Sequence, residues 1–469
     1  MMDNLFELIQ RADNGDPEAQ YRVASYIVWE NSNEPIEPDW LERAVDYFRR
    51  SAAQGHGDAM LDFGAMYDYG RGVNKDESVA IDWYRKAAEI LHPKAFRCLG
   101  YSQGFHNFRD GGYADYKTAF KYFVKGALLG EQNCIYELGD MYYHGRYVEP
   151  DQVFAFKLYQ KSDSIIDGNI HDDSYANVRL RIGEYGYRWH ENDSSSGIFR
   201  EYIQDAIKGF ELRIERGDPP EFFKSDYIKA KRLLNEIESG KWGVNITCQT
   251  DDKDDSNFNK FIESDFLNYK EPKYPIAELA ELKLENPIIE QFDATPHFND
   301  ALAAAESGDR DSMYHIAFYC FNRYDYDSKS KSQAMIEFAL YYYHKAVRSG
   351  CREAMFNLGD IYYQGTGGVQ IDKEKAFLLY SFTNAQIAWG DLGVFYAKGE
   401  IVEKDYEMAF KYFSKYALTG EIASYCSLAN LATMYRKGLF VDVDDKFADF
   451  CDSESKRFEE AWNVEYEKE

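Results

Sequence analysis

The sequence predicts an all-α fold: an α-solenoid of antiparallel helix hairpins, arranged as two arrays around an irregular middle segment. Two observations predict it. One residue pattern recurs at a nearly constant interval, and both halves of the chain carry copies of it. The pattern begins with Ala, two residues and an aromatic pair, and ends with Leu-Gly, two residues, Tyr, two residues and Gly. Its leading alanines, 33 to 39 residues apart within each half, are Ala44, Ala80, Ala119, Ala155, Ala339, Ala376 and Ala409.

Each copy of the pattern predicts two helices. Apolar and small residues recur at steps of three and four, which gives each helix one buried face. Gly70 and Gly72 lie where the first copy must leave its helix, a position that favours positive φ. A single hairpin cannot bury its own apolar face, so the copies are expected to stack. We expect the tyrosines of one shared register to pack between neighbouring copies: Tyr67, Tyr142, Tyr362, Tyr396 and Tyr435.

The two halves of the chain are also similar to each other. Residues 14–26 align without gaps on 307–319, and residues 119–131 agree with 409–421 at ten of thirteen positions. Either an array was duplicated, or one long solenoid contains an insert.

This combination of motifs resembles the Sel1-like repeat family, a longer relative of the tetratricopeptide repeat. The resemblance covers about 1–160 and 298–440. It implies a superhelix whose first helices line a concave groove. Members of this family act as adaptors, assembly factors and regulators, and some bacterial members neutralise secreted toxins as immunity proteins.

The pattern and its interruptions divide the chain into five segments. The repeat fades after Ser162, and the residues that follow are still rich in helical patterns. Turn formers and an acidic cluster then mark a linker or insertion, and aromatic residues at helical steps near the C terminus predict a capping helix. The predicted segments are 1–162 (N-terminal array), 163–240 (divergent helical segment), 241–297 (acidic linker or insertion), 298–440 (C-terminal array) and 441–469 (acidic capping helix).

Composition excludes several classes of function. With 54 Lys and Arg against 81 Asp and Glu, the net charge is −27, which opposes binding to nucleic acid and to anionic membranes. No apolar run approaches the length of a membrane span, and no signal peptide is recognisable. The seven Cys form no CxxC motif, which indicates a reducing compartment. We therefore expect a cytoplasmic protein.

Sites for chemistry are not recognisable in the sequence. No HExxH motif or nucleophile signature occurs, so no metal, no cofactor and no catalytic residue is predicted. The run Gly365-Thr366-Gly367-Gly368 lacks the residues of a phosphate loop and falls where the repeat requires a turn. His144 and His344 occupy variable positions, which predicts that they lie on the surface.

Variable positions around the Leu-Gly pair predict an acidic, tyrosine-rich stripe in the groove. Its carboxylates suit a protein partner that is basic, such as a toxin or effector, and its tyrosines add contact area. An adaptor role and a ligand-binding or catalytic function within 163–297 remain alternatives, and an ordinary soluble surface would look similar. The predicted stripe comprises Asp62, Asp68, Tyr69, Glu137, Asp140, Tyr143, His144, Asn357, Asp360, Tyr363 and Gln364.

Overall fold

The computed structural model confirms an all-α fold in the part of the chain that it describes. The described residues are 2–30, 38–105, 114–169, 174–189, 196–218, 223–239, 298–322, 329–383 and 385–466, and they contain no β-strand. The predicted linker, 241–297, lies outside them.

The described residues before the linker form twelve α-helices. They are α1 (Met2–Asp13), α2 (Pro17–Ser25), α3 (Pro38–Ala53), α4 (Gly57–Tyr69), α5 (Glu77–Glu89), α6 (Pro93–Leu99), α7 (Tyr116–Leu128), α8 (Gln132–His144), α9 (Gln152–Ile166), α10 (Tyr175–Trp189), α11 (Ser196–Glu215) and α12 (Lys224–Glu238). Short π-helical turns follow α2 and α6, at Tyr26–Glu30 and Gly100–Phe105.

After the linker, the residues that the structure describes form nine α-helices. They are α13 (Phe298–Ser307), α14 (Arg310–Asn322), α15 (Lys329–Arg348), α16 (Arg352–Gln364), α17 (Lys373–Phe382), α18 (Ile387–Lys398), α19 (Tyr406–Thr419), α20 (Tyr425–Lys437) and α21 (Asp445–Tyr466). The last helix occupies most of the segment in which the sequence places a cap.

The repeat alternates two kinds of helix. The Leu-Gly helices, which carry the Leu-Gly or Phe-Gly pair, are α4, α6 with its π-helical turn, α8, α16 and α18. Four of them end on a glycine in the left-handed region, as the sequence predicts for Gly70: Gly70, Gly145, Gly365 and Gly399. Each aromatic helix that follows has an Asp as its N-cap, and the carboxylate of this Asp accepts a hydrogen bond from a backbone N–H of the first turn. These N-caps are Asp76, Asp115, Asp151, Asp372 and Asp405.

The glycine of each Leu-Gly pair lies directly under an aromatic ring of the next aromatic helix. A Cβ built on these glycines would lie 2.3–2.8 Å from a ring carbon, closer than atoms can approach without a shift. The two helices can therefore pack at this distance only if the position has no side chain. The pairs are Gly64 and Tyr84, Gly100 and Phe123, Gly139 and Tyr159, Gly359 and Tyr380, and Gly393 and Phe413.

Contacts group the chain into two compact units. Unit 1 comprises Met1–Ile246 and Tyr435–Cys451, and unit 2 comprises Thr247–Met434 and Asp452–Glu469. Each unit contains a continuous apolar core built from alternating Leu-Gly and aromatic helices. The register tyrosines are buried or half-buried, with Tyr142 and Tyr362 at 3% and 7% exposure.

Ion pairs connect α10 to α8 and α12 to α10 in unit 1. The guanidinium Nε of Arg181 on α10 lies 3.1 Å from the carboxylate of Asp140, and Arg181 also pairs with Glu184, which is 1% exposed. Lys229 on α12 reaches Glu184 at 2.6 Å. Because a buried charge without a partner is costly, these pairs determine how α10 and α12 pack.

Replacing Gly393 with Ala tests the glycine–ring contact. The added methyl group would lie 2.5 Å from the ring of Phe413, so the helices must separate. We expect the free energy of unfolding to fall by about 1–3 kcal/mol, although Ala is the better helix former. Chemical denaturation monitored by circular dichroism measures this change.

Gly390→Ala is the matched control in the same helix. Its methyl group would meet Tyr416 at 3.3 Å and Ser427 at 3.5 Å, so a small shift accommodates it. We expect a change within about 1 kcal/mol. Equal destabilisation by both substitutions would contradict the role assigned to the Leu-Gly glycine.

Candidate partner-binding face

The residues of the predicted stripe lie on three Leu-Gly helices at four equivalent positions. Counted from the glycine of the pair, they fall two residues before it and one, four and five residues after it. These spacings place them along neighbouring rows of one helix surface. The set on α4 is Asp62, Asp68 and Tyr69, on α8 Glu137, Asp140, Tyr143 and His144, and on α16 Asn357, Asp360, Tyr363 and Gln364.

Exposure of this surface increases toward the C-terminal end of each helix. The residues five positions after the glycine are exposed, with Tyr69 at 68%. The others are half-buried, except Asp140, which is 8% exposed. Sequence reasoning treats all of them as free surface positions, and for Asp140 the structure corrects this because the carboxylate lies inside the fold.

The Asp after the glycine is held by the aromatic helix that covers the pair. The hydroxyl of Tyr159 donates to Asp140 Oδ1 at 2.6 Å, and the hydroxyl of Tyr380 donates to Asp360. In α18 the equivalent position is Val394, and the covering ring there is Phe413, which has no hydroxyl. At Asp140 and Asp360 the acidic side chain therefore has a structural role, which the pairing of Asp with Tyr in the sequence could have indicated.

The position two residues before the glycine carries half-buried carboxylates in unit 1. Burial and the negative charge of Asp58 raise the pKa of Asp62 to about 6. Glu137 accepts a hydrogen bond from the hydroxyl of Tyr101, and burial and the charge of Asp140 raise its pKa to about 7. Both side chains are consequently poised to exchange a proton near neutral pH.

Unit 2 carries the same feature at a residue that sequence reasoning missed. Asp391 stands two residues before Gly393, and burial and the charge of Asp360 raise its pKa to about 7. Burial also raises the pKa of Asp360. The register of the repeat at 376–405 contains the signal for Asp391, because the position matches that of Asp62 and Glu137.

Asn357 and His344 each contact a tyrosine hydroxyl. Asn357 takes the place of the carboxylate in α16, and its side-chain amide donates to the hydroxyl of Tyr343 at 3.3 Å. His344, predicted at the surface, is 3% exposed, and its Nε2 lies 3.0 Å from the hydroxyl of Tyr362. The prediction for His344 is wrong because the residue belongs to the buried row of α15.

We also searched the described part of the chain for a metal site, a membrane-spanning helix and a phosphate-binding loop. There, no group of three or more His, Cys, Asp or Glu side chains is placed to hold a metal ion. None of the described helices combines the length and the apolar character that crossing a bilayer needs. The glycine run at 365–368 forms the helix end and a short 3₁₀ turn, with the Gly367 Cα packed against Ile336.

The family model of the Sel1 repeat matches eight segments of this chain, which together span more than half of it. They are 17–56, 57–89, 99–131, 133–162, 311–351, 352–382, 383–418 and 427–448. The chain belongs to the Sel1 repeat family. Sel1 repeat solenoids are scaffolds for protein–protein interaction and are generally non-catalytic. The last match extends past residue 440, where the sequence places the end of the C-terminal array.

Individual relatives are distant. An uncharacterised Sel1-like repeat-containing protein of Schizosaccharomyces pombe is 23% identical over 302 residues, which are 63% of this chain and 40% of the relative. The matched region is thus about two fifths of that relative's length.

Two examples show the similarity of this chain to solved structures. One is a protective antigen present in uropathogenic Escherichia coli strains, displaying an SLR fold, with 20% identity, a TM-score of 0.33, and coverage of 97% of this chain and 90% of that one. The other is a Sel1 repeat protein from Oxalobacter formigenes, with 22% identity, a TM-score of 0.35, and coverage of 48% and 89%.

Replacing Tyr159 with Phe tests the structural role of Asp140. The substitution removes a buried hydroxyl donor and leaves the carboxylate short of one hydrogen bond. We expect a loss of about 1–2 kcal/mol in the free energy of unfolding. Tyr84→Phe is the matched control, since Tyr84 covers Gly64 in the same way but the residue after that glycine is Ala65 and not an Asp, and it should cost less than about 0.5 kcal/mol. Equal losses for the two variants would contradict this role.

Replacing Asp391 with Asn tests its raised pKa. An unfolded Asp titrates near pH 4, so between about pH 4 and 7 the folded chain binds more protons than the unfolded chain. Its carboxylate therefore lowers stability progressively as the pH rises through this window. We expect Asp391→Asn to exceed the parent in stability by on the order of 2 kcal/mol at pH 8 and to match it near pH 4. Urea denaturation at both pH values measures the difference.

Asp360→Asn provides an internal check on the cause. Removing the charge of Asp360 removes one of the two effects that raise the pKa of Asp391. We expect the loss of stability between pH 4 and pH 8 to become smaller in this variant. A stability difference between Asp391→Asn and the parent that is the same at pH 4 and pH 8 would rule out the assignment.

Proposed function

We propose that each unit of the chain binds basic segments of a protein partner on the surface of its own Leu-Gly helices. The observation that carries this proposal is the recurrence of a half-buried carboxylate two residues before the glycine, in three helices, each beside a second carboxylate. Asp62 lies near Asp58, Glu137 near Asp140, and Asp391 near Asp360. The two carboxylates of each pair repel each other, and a Lys or Arg side chain of a partner beside Asp62, Glu137 or Asp391 would offset this repulsion.

The exposed last turns of α4, α8 and α16 extend this surface. Tyr69, His144 and Gln364 offer aromatic and hydrogen-bonding groups next to the carboxylates. Tyrosine contributes contact area at low entropic cost, while the carboxylates orient a cationic partner. A surface that combines aromatic contact area with negative charge suits recognition of a basic protein segment.

Binding of a cationic partner is coupled to deprotonation in this scheme. An ammonium or guanidinium group favours the ionised carboxylate, so the partner lowers the pKa of Glu137 and Asp391 and releases protons. Affinity is then expected to rise between about pH 6 and pH 8. Increasing salt should weaken the complex.

Two biological roles use this chemistry. An immunity protein would sequester a basic toxin or effector, and an adaptor would hold a basic subunit within an assembly. We infer that the chain works in the cytoplasm, since its Cys pattern suits a reducing compartment. None of the six cysteines in the described residues forms a disulfide. Inhibition of the partner's own activity on binding would identify an immunity protein, and unchanged activity an adaptor.

A ligand-binding or catalytic function within 163–297 has no specific observation in its favour. In the described part of that segment, the buried Glu184 pairs with Arg181 and Lys229. The buried charge of Glu184 is therefore explained by its structural role in helix packing.

Capture from a lysate of the source cells, followed by affinity measurement with the purified partner, tests the proposal. The test variant carries Asp62→Asn, Glu137→Gln and Asp391→Asn, which keep side-chain size but remove three charges. We expect its affinity at pH 8 to fall at least about tenfold, and the pH dependence of the parent to disappear.

A control variant separates the surface from net charge. Asp82→Asn, Glu211→Gln and Asp311→Asn remove the same number of charges from exposed positions on α5, α11 and α14. This variant should bind like the parent. An equal effect of both triple variants, or none for either, would refute the proposed face.

A further inference from the structure

Helix α7 carries a row of lysines that is unusual in so acidic a chain. Lys117, Lys121 and Lys125 follow one another at intervals of four, so they share one face of the helix, and α7 contains no acidic residue. We call these three residues the lysine row. Positive side chains four residues apart on one helix repel each other unless a nearby acidic residue offsets their charge.

A segment far along the chain faces this row. The ammonium of Lys125 lies 2.6 Å from Asp444, and both side chains are largely removed from water, at 13% and 26% exposure. Lys121 donates to the backbone carbonyl of Phe440 at 2.7 Å, and its ammonium lies 4.1 Å from the centre of the Phe440 ring. Lys117 lies 4.8 Å from the same ring. All three lysines therefore contact residues 440–444.

Apolar contacts accompany these polar ones within unit 1. The rings of Phe96 on α6 and Phe447 on α21 have centres 6.3 Å apart, and both side chains are buried. Lys446 adds a hydrogen bond of 2.8 Å from its ammonium to the carbonyl of Glu89. The segment thus presents an aromatic ring, a carboxylate four residues later and a second aromatic ring three residues after that.

The duplicated helix α19 shows what the same lysines do with a local partner. Its Lys411 and Lys415 match Lys121 and Lys125, since residues 409–421 copy 119–131. Lys411 pairs with Glu407 of its own helix at 3.2 Å. Lys117 stands where α19 has Glu407, so α7 has no acid of its own to offer and meets Asp444 instead.

We propose that the lysine row with Phe96 is a recognition site for an acidic, aromatic protein segment, and that residues 440–447 occupy it as an intramolecular clasp. A partner with the same chemistry, a ring followed by a carboxylate and a second ring, displaces the clasp. The site differs in location and in charge from the surface of the Leu-Gly helices that carries Asp62, Glu137 and Asp391. Because the clasp belongs to the same chain, its effective concentration is high, and a partner binds tightly only when the clasp is weakened.

A labelled synthetic peptide of residues 437–451 is the probe, and the full chain is the receptor. The clasp is weakened by Phe440→Gly with Asp444→Asn. Phe440 has a φ of 69°, and the matching positions in other repeats are Gly72 and Gly367, so glycine suits the backbone. Asn keeps the cap that Asp444 provides to the N–H of Phe447.

We expect the peptide to bind this double variant at least about tenfold more tightly than the parent chain, measured by fluorescence anisotropy. Adding Lys121→Glu and Lys125→Glu to the double variant should abolish binding. Equal affinity for the parent and the double variant, or binding that survives the lysine substitutions, overturns the proposal. Thermal melts verify that each variant folds.

Hydrogen exchange on the unmodified chain gives a second test that needs no variant. Saturating peptide should raise the exchange of amides in residues 438–446, because the clasp leaves its site, while α7 stays protected. Exchange in 438–446 that is unchanged at saturating peptide also overturns the proposal.

Discussion

The packing of an aromatic ring on a bare glycine is the contact on which the rest of this structure depends. The contacts of Tyr159 with Gly139 and of Phe413 with Gly393 set the distance between successive helices. The same contact recurs in other repeats, so the helices there pack at a similar distance. Because the ring occupies the space of a missing side chain, the residues on either side of the glycine take fixed directions. The positions two before and one after it therefore recur on the same surface in every copy, which is how a packing rule generates a candidate binding face.

That surface combines structure and recognition in adjacent residues. Asp140 and Asp360 are held by tyrosine hydroxyls, while Glu137 and Asp391 stand beside them with pKa values near neutrality. The structural carboxylate is thus one cause of the raised pKa of its neighbour. A change at Asp360 made to test binding would also alter packing, so the two roles have to be separated by isosteric substitutions.

Sequence periodicity predicted the helical repeat, the glycine ends of helices and the surface shared by Asp62, Glu137 and Asn357. It did not predict burial within that surface, because exposure depends on which helix lies alongside, and so Asp140 and His344 were assigned to the wrong environment. Asp391 was missed although its register is visible. The contact of Lys125 with Asp444 lies beyond any local pattern, since repeat logic considers only neighbouring copies.

The clasp has a consequence for the order in which the protein is made. The residues it joins are 319 positions apart, and a ribosome that adds about 5–20 residues per second needs about 15–65 s to cover that distance. During this time α7 has emerged without residues 440–447 to cover its lysines, in a chain whose composition is acidic overall. The early repeats must therefore fold with the lysine row exposed to solvent, or another molecule must bind it until residues 440–447 are synthesised.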